Sequence, residues 1–207
     1  MHNLKPMEIE RRSFEIIEKE IDKDYFNLIS DEMKPVILRV IHATADFDFL
    51  YNLKFTENFF KKAVEALKRG CTILTDVKMI EAGISKKSNL SIRCYMSSKD
   101  VIDYAQNNGI TRAQASMILH AKEADNGLIV IGNAPTALFQ VIKMVRNKEI
   151  NPAAIIGVPV GFVGAEESKK ELSKLENIEY ITALGRKGGT PVAVAIVNAL
   201  LKNIAKN

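Results

Sequence analysis

The stretch Ile129–Leu138, which reads IVIGNAPTAL, decides the fold of this chain. Its opening apolar run is typical of a parallel strand that is buried on both faces. Gly132 allows a sharp turn, and Pro135 suits the first turn of a helix because its missing N–H costs nothing there. The stretch therefore predicts a strand that leads directly into a helix at the carboxyl edge of a sheet, where open α/β sheets bind ligands.

The same order of strand and helix recurs on both sides of this stretch. Strands that alternate with helices indicate a mostly parallel sheet with right-handed crossovers. We therefore predict the α/β class, as a three-layer sandwich with about five strands and helices on both faces. The other predicted strands are the apolar runs at 71–75, 91–95, 153–158 and 178–184.

The segment before the predicted sheet is mainly helical in pattern. Residues 46–55 are rich in aromatics and aspartate, which indicates either a connection or a short edge strand. Thr56 is expected to cap the helix that follows, and Ser98 and Thr111 are expected to cap two later helices, the second extending to Ala124. The three early helices are predicted over residues 8–21, 35–45 and 56–68.

The chain has 207 residues, which suits one α/β domain with a well-buried core. Hydrophobic residues make up 47% of the sequence and charged residues 26%, as in an ordinary soluble protein. No linker or low-complexity tract divides the chain. We therefore expect a single domain over 1–207, in which a helical N-terminal segment (residues 1–68) packs on the 71–207 core or on a second subunit.

Charge and cysteine content limit the partners. The net charge of +4, from 29 basic and 25 acidic residues, suits an anionic small molecule but is too scattered for nucleic acid. No apolar run approaches a membrane span, and the N-terminus lacks the apolar core of a signal peptide. Cys71 and Cys94 are expected to be buried, reduced thiols, so we expect a cytoplasmic protein.

Common cofactor and metal motifs are absent from the sequence. It contains no G-x-G-x-x-G, no P-loop and no H-E-x-x-H, C-x-x-C or G-x-S-x-G motif. Its histidines are His2, His42 and His120, and His120 lies in an apolar helical run that favours a structural role. We therefore expect no metal site and no cofactor.

Two positions on the early helices could contribute to a site. Ser13 lies on the apolar stripe of the first helix, between Ile9 and Ile17, where its hydroxyl needs a partner. That partner could be a ligand, although a bond to a helix carbonyl is the simpler alternative. Arg39 and His42 are three residues apart and share one helical face. They could hold a carboxylate together, or they could be a surface arginine and a half-buried histidine.

Glycine-containing loops follow three of the predicted strands, at Gly132, at 157–164 and at 185–189. Each loop precedes a helix N-terminus, whose free N–H groups and dipole favour anions. The glycines could simply make tight turns, but together with nearby cations they indicate a wide anion-binding crevice. The residues expected to contact the ligand there are Arg112, Gly132, Asn133, Gly161, Arg186, Gly188 and Gly189.

The chain resembles the precorrin-8X methylmutase family, also called cobalt-precorrin-8 methylmutase, of cobalamin biosynthesis. The resemblance covers nearly the whole chain, and its Gly132 and Gly157 motifs are long and specific. The matching segments are Glu10–Phe14, Arg39–Ala43, Gly132–Leu138, Gly157–Ser168 and Gly185–Thr190.

The resemblance implies a Rossmann-like homodimer that moves a methyl group from C-11 to C-12 of a corrinoid. It implies that His42 donates and accepts a proton, that Ser13 and Arg39 bind substrate, and that any cobalt belongs to the substrate. An imidazole suits this role because it can gain or lose a proton near neutral pH. Thr44-Ala45 and Thr190 depart from the residues common in relatives, without affecting the histidine.

Other functions stay open at this point. A non-catalytic corrinoid carrier would use the same crevice, but it would leave the visible spectrum of its ligand unchanged on mixing. A nucleotide-binding enzyme would be stabilised by nucleotide, although the missing fingerprints disfavour it. A subunit whose apolar early helices mainly serve assembly would keep its activity when Ser13 or Arg39 is replaced by alanine.

Overall fold

The computed structural model describes residues 6–85 and 90–204, and His2 lies outside them. The strands are β1 (Leu53–Phe55), β2 (Thr72–Thr75), β3 (Ser91–Arg93), β4 (Leu128–Ile131), β5 (Ala154–Gly157) and β6 (Tyr180–Ala183). The helices are α1 (Pro6–Glu20), α2 (Lys23–Asn27), α3 (Lys34–Thr44), α4 (Phe49–Asn52), α5 (Phe59–Lys68), α6 (Lys78–Gly83), α7 (Lys99–Asn108), α8 (Arg112–His120), α9 (Pro135–Arg146), α10 (Ala165–Leu172) and α11 (Thr190–Ile204).

The six strands form one sheet in the order β1-β6-β5-β4-β2-β3. The five predicted strands are present and all pair in parallel. The sixth strand, β1, pairs antiparallel with β6, with Leu53 opposite Ala183. β1 falls within 46–55, where the pattern left a connection and an edge strand as alternatives, and the edge strand is what forms.

Successive residues of β4 face opposite sides of the sheet, and each side carries an apolar cluster. Leu128 and Val130 belong to the cluster that includes α3, α5 and α11. Ile129 and Ile131 belong to the cluster formed with α8, α9 and α10. The early helices therefore share one layer with the last helix, and the predicted three-layer α/β architecture with helices on both faces is confirmed.

The predicted helix starts are only partly right. Thr111 caps α8 as expected, because its hydroxyl accepts from the Gln114 N–H at 3.1 Å. Ser98 stands at the start of α7, but its hydroxyl donates to the Tyr95 carbonyl at 2.7 Å instead. Thr56 does not cap α5, since its hydroxyl pairs with Glu179 beside β6. α8 ends at His120, and a 3-10 turn covers Ala121–Ala124.

Both cysteines are free and half-buried. Burial raises the pKa of the Cys71 thiol to about 11, so this thiol stays protonated and unreactive at neutral pH. Within residues 6–85 and 90–204, every helix is too short or too polar to cross a lipid bilayer.

Candidate active site

The strand order reverses between β2 and β4, which is where open α/β sheets usually bind a ligand. Here Asp76, fully buried at the end of β2, occupies that position. Its carboxylate accepts hydrogen bonds from the backbone N–H groups of Gly132, Asn133 and Ala134, at 3.1, 2.9 and 2.7 Å. Burial raises the pKa of Asp76, and the three N–H donors oppose that rise.

The protein therefore supplies its own anion at the N-terminus of α9. The amides through which Gly132 and Asn133 were expected to hold a substrate carboxylate are already engaged by Asp76. A substrate contact at these two residues stays a prediction, and it would have to use other atoms, such as the exposed side chain of Asn133.

The glycines of the other two loops pack against backbone. The Gly189 N–H donates to the Val158 carbonyl at 2.7 Å, and the Gly161 N–H donates to the Arg186 carbonyl at 3.2 Å. Gly188 has a φ of 153°, and a Cβ on it would lie 2.3 Å from the Val158 oxygen. These glycines thus allow two loops to meet closely, as in the tight-turn alternative, while their contact with a ligand stays a prediction.

His42 lies in the last turn of α3 and faces α1. Its ring stacks on Phe14, with centroids 5.0 Å apart and planes inclined by 16°. Arg39 also contacts Phe14, since its guanidinium carbon lies 5.0 Å from the centroid of that ring. Among the described residues, none forms a hydrogen bond with either ring nitrogen of His42. The imidazole is therefore oriented by packing, and its nitrogens remain free to meet a ligand.

A cavity of about 490 Å³ opens beside this histidine, between α1, α3 and α11. Arg39 donates to Glu10 at 2.6 Å, and Lys202 lies 3.5 Å from the same carboxylate. The hydrogen bond from Arg39 holds the pKa of Glu10 below its usual value. The cavity is lined by Glu10, Arg39, His42, Ala43, Ser85, Pro191, Val194, Ala195, Asn198, Leu201 and Lys202.

The structure brings together only some of the predicted site residues. Arg39 and His42 line the same cavity, whereas Ser13 does not line it and donates its hydroxyl to the Ile9 carbonyl at 3.0 Å. The Ser13 hydroxyl therefore makes the predicted bond to a helix carbonyl, and its contact with a substrate stays a prediction. The other expected ligand contacts stand on or beside the loops at the carboxyl edge, outside the lining of this cavity: Arg112, Gly132, Asn133, Gly161, Arg186, Gly188 and Gly189.

The start of α11 joins the loops to the cavity. A Cβ on Gly189 would lie 3.4 Å from Val160 and 3.6 Å from Pro191, and Pro191 lines the cavity. Lys187 extends from the same loop to Asp46 and Asp48, just after the helix that carries His42, at 2.6 Å each. The loop after β6 is therefore linked to the segment that follows α3, and it continues directly into α11.

A buried lysine on α10 holds the loop after β6 through a hydrogen bond. Lys169 on α10 is fully buried, and its ammonium donates to the Lys187 carbonyl at 2.6 Å. Burial lowers its pKa to about 8, against the favourable charge of Glu166. Sequence reasoning missed Lys169 because nothing in the pattern of α10 marks a lysine as buried. It also missed Lys202, because this lysine lies far along the chain from its partner Glu10. Glu10 itself lies in one of the segments that match the family.

The fold and the sequence of this chain are similar to those of known methylmutases. A crystal structure described as precorrin-8X methyl mutase from Thermus thermophilus superposes with a TM-score of 0.85, at 30% identity over 96% of each chain. The precorrin-8X methylmutase family model matches residues 8–203.

Individual relatives are named more narrowly. Cobalt-precorrin-8 methylmutase of Methanocaldococcus jannaschii is 43% identical over 97% of this chain and 95% of the relative. Precorrin-8X methylmutase of a Sinorhizobium species is 34% identical over 94% of this chain and 93% of that relative. The chain belongs to the precorrin-8X methylmutase family and is an isomerase of that family.

Proposed function

We propose that this protein moves a methyl group from C-11 to C-12 within a corrinoid, and that its substrate is cobalt-precorrin-8. Membership of the methylmutase family supports the reaction. The names of the relatives support the cobalt form, because those at 43% identity are named for cobalt-precorrin-8 and those at 34 and 35% for precorrin-8X. The product is then cobyrinate.

The observation that carries this proposal is the position of His42. Its ring is held against Phe14 at 5.0 Å and borders the cavity with both nitrogens free of protein partners among the described residues. A methyl shift within a conjugated ring needs control over where a proton sits, and an imidazole can donate and then recover that proton. No electrons are exchanged with the protein, so the reaction needs no redox cofactor.

Arg39 and Lys202 provide positive charge at the same cavity. Arg39 uses one terminal nitrogen for Glu10, and its remaining N–H groups can bind a carboxylate arm of the macrocycle. Glu10 holds the guanidinium in place and would compete with a substrate carboxylate for it. The cavity therefore orients a polyanionic ligand while His42 acts on the ring.

A spectral assay tests the proposal. The purified protein is mixed with cobalt-precorrin-8 or with precorrin-8X, and the visible spectrum is followed as conjugation changes. We expect turnover of both with a higher kcat/KM for the cobalt form, and a loss of at least about 1000-fold in kcat for His42→Ala with corrinoid binding retained.

Control variants sharpen the result. His120→Asn replaces a histidine outside the cavity and should retain turnover. Unchanged spectra with the wild-type protein would favour a non-catalytic carrier, and full activity of His42→Ala would remove the histidine from the mechanism.

We further propose a cytoplasmic homodimer. The free cysteines support a reducing cytoplasm. The resemblance supports the dimer, and so do two exposed apolar residues that lie seven positions apart on α1, Ile9 and Ile16. Sedimentation velocity should give twice the chain mass for the wild type and a shift toward the monomer for Ile9→Glu.

A further inference from the structure

The loop between β5 and α10 exposes two large apolar side chains. Phe162 is 85% exposed and Val163 is 89% exposed. Soluble proteins rarely leave adjacent large apolar residues this accessible unless they meet a partner or a ligand.

This exposure belongs to a well-anchored loop. Its base is fixed by the Gly161 N–H, which donates to the Arg186 carbonyl at 3.2 Å, and by Ser168, whose N–H donates to the Gly164 carbonyl at 2.9 Å. Gly161 and Gly164 have φ values of 149° and 77°, which other residues rarely adopt, so glycine sets the shape that presents Phe162.

The loop adjoins the candidate active site. Val160 at its base faces Gly189, and the space beside Gly189 is shared with Pro191, which lines the cavity next to His42. The base of the loop that carries Phe162 therefore lies next to the start of α11, which lines the same cavity as the histidine.

Charge beside the loop indicates what kind of ligand it fits. The guanidinium carbon of Arg186 lies 5.5 Å from the Phe162 centroid, a cation–π contact. Within the described ranges 6–85 and 90–204, Arg186 forms no ion pair. An exposed aromatic face beside an unpaired cation matches a flat apolar ring that carries carboxylate arms, and it matches a purely apolar protein surface less well.

We propose that Phe162 and Val163 bind the apolar part of the corrinoid, beyond the cavity that holds His42, while Arg186 binds one of its carboxylates. This inference rests on the proposed function. It assigns Phe162 as a substrate-binding residue that extends the site from the helical layer to the carboxyl edge of the sheet.

The test measures binding and assembly together. Titration with cobyrinate, followed by its visible spectrum, gives Kd, and sedimentation velocity gives the mass. For Phe162→Ala we expect Kd to rise at least about tenfold with the mass unchanged, and for Phe162→Leu a smaller rise. Leu28→Ala is the control, because it removes a similarly exposed apolar side chain that precedes α3, at the opposite end of that helix from His42. It should leave Kd within about twofold of the wild-type value.

The other outcomes overturn the inference in distinguishable ways. A lower mass for Phe162→Ala, with or without weaker binding, would make the loop a contact between subunits. An unchanged Kd and an unchanged mass would deny the loop any role in binding. If the wild-type protein itself binds no cobyrinate, the proposed function fails together with this inference, whereas binding by the wild type with no effect of Phe162→Ala overturns this inference alone.

Discussion

Lys169 should make the stability of this protein depend on pH in a way that a single substitution removes. Its side chain is fully buried, and its ammonium has the Lys187 carbonyl as its hydrogen-bond acceptor at 2.6 Å. The substitution Lys169→Met keeps an unbranched apolar side chain, one heavy atom shorter, but removes both the charge and the donor.

The magnitude follows from the pKa. Burial lowers the pKa of Lys169 from its ordinary 10.5 to about 8, and one pKa unit corresponds to about 1.4 kcal/mol. The unfolded chain therefore binds more protons than the folded protein between those two values, and the free energy of unfolding rises with pH across that window. The full rise attributable to Lys169 is about 3 kcal/mol, which is absent below about pH 7 and complete near about pH 11.

Urea unfolding followed by far-ultraviolet circular dichroism at several pH values from about 7 to about 10.5 measures this contribution. Other groups titrate in the same range, so the quantity of interest is the difference between wild type and Lys169→Met at each pH. We expect that difference to change by about 2–3 kcal/mol in favour of the wild type as pH rises. Lys170→Met, at the exposed neighbouring position, is the matched control and should give a constant difference.

A constant difference for Lys169→Met, within about 0.5 kcal/mol across the range, would refute the reasoning. It would mean that the ammonium is solvated in the folded protein and that the contact with the Lys187 carbonyl does not require a desolvated charge.

Three further substitutions test other regions of the structure. Gly188→Ala should lower the free energy of unfolding by about 2–4 kcal/mol in urea titrations, because the new Cβ would meet the Val158 oxygen at 2.3 Å. Asp76→Ala should cost about 3–5 kcal/mol, measured in the same way, because three buried N–H groups lose their acceptor. Arg39→Lys should raise KM for the corrinoid about tenfold with a smaller change in kcat, because an ammonium cannot pair with Glu10 and a substrate carboxylate in one fixed geometry.

The sequence predicts those features of the fold that depend on local pattern. The five parallel strands were predictable because each is a run of apolar residues between turn residues, and Arg39 and His42 share a face because three residues make nearly one helical turn. β1 left alternatives open because three residues carry little pattern, and its pairing with β6 joins segments far apart in the chain.

Side-chain partners were predictable only where they are local. Thr111 caps its own helix, whereas the hydroxyl of Thr56 pairs with Glu179, which its own segment does not reveal. The same limit hid the pairing of Glu10 with Lys202, which adds a cation from the last helix to the cavity. The second cation at the candidate site is therefore set by tertiary packing and has no signature in either segment alone.

The place of Asp76 explains why this α/β protein lacks the usual anion-binding motifs. In folds of this class the helix N-terminus at the strand-order reversal commonly receives a ligand phosphate, and glycines clear the way for it. Here the carboxylate of Asp76 fills that position. In the other loops the absence of a Cβ, as at Gly188, allows two backbone segments to lie in close contact.

On the function we propose, the carboxylates of the ligand would then be recognised by side-chain cations on the helical layer and at the edge, namely Arg39, Lys202 and Arg186. Arg39 and Lys202 line the cavity, whereas Arg186 stands on the loop after β6, and cations separated in this way would suit a broad ligand with several carboxylates better than a compact phosphate. His42 borders the same cavity as Arg39 and Lys202, so on the function we propose its imidazole would meet a ring bound there.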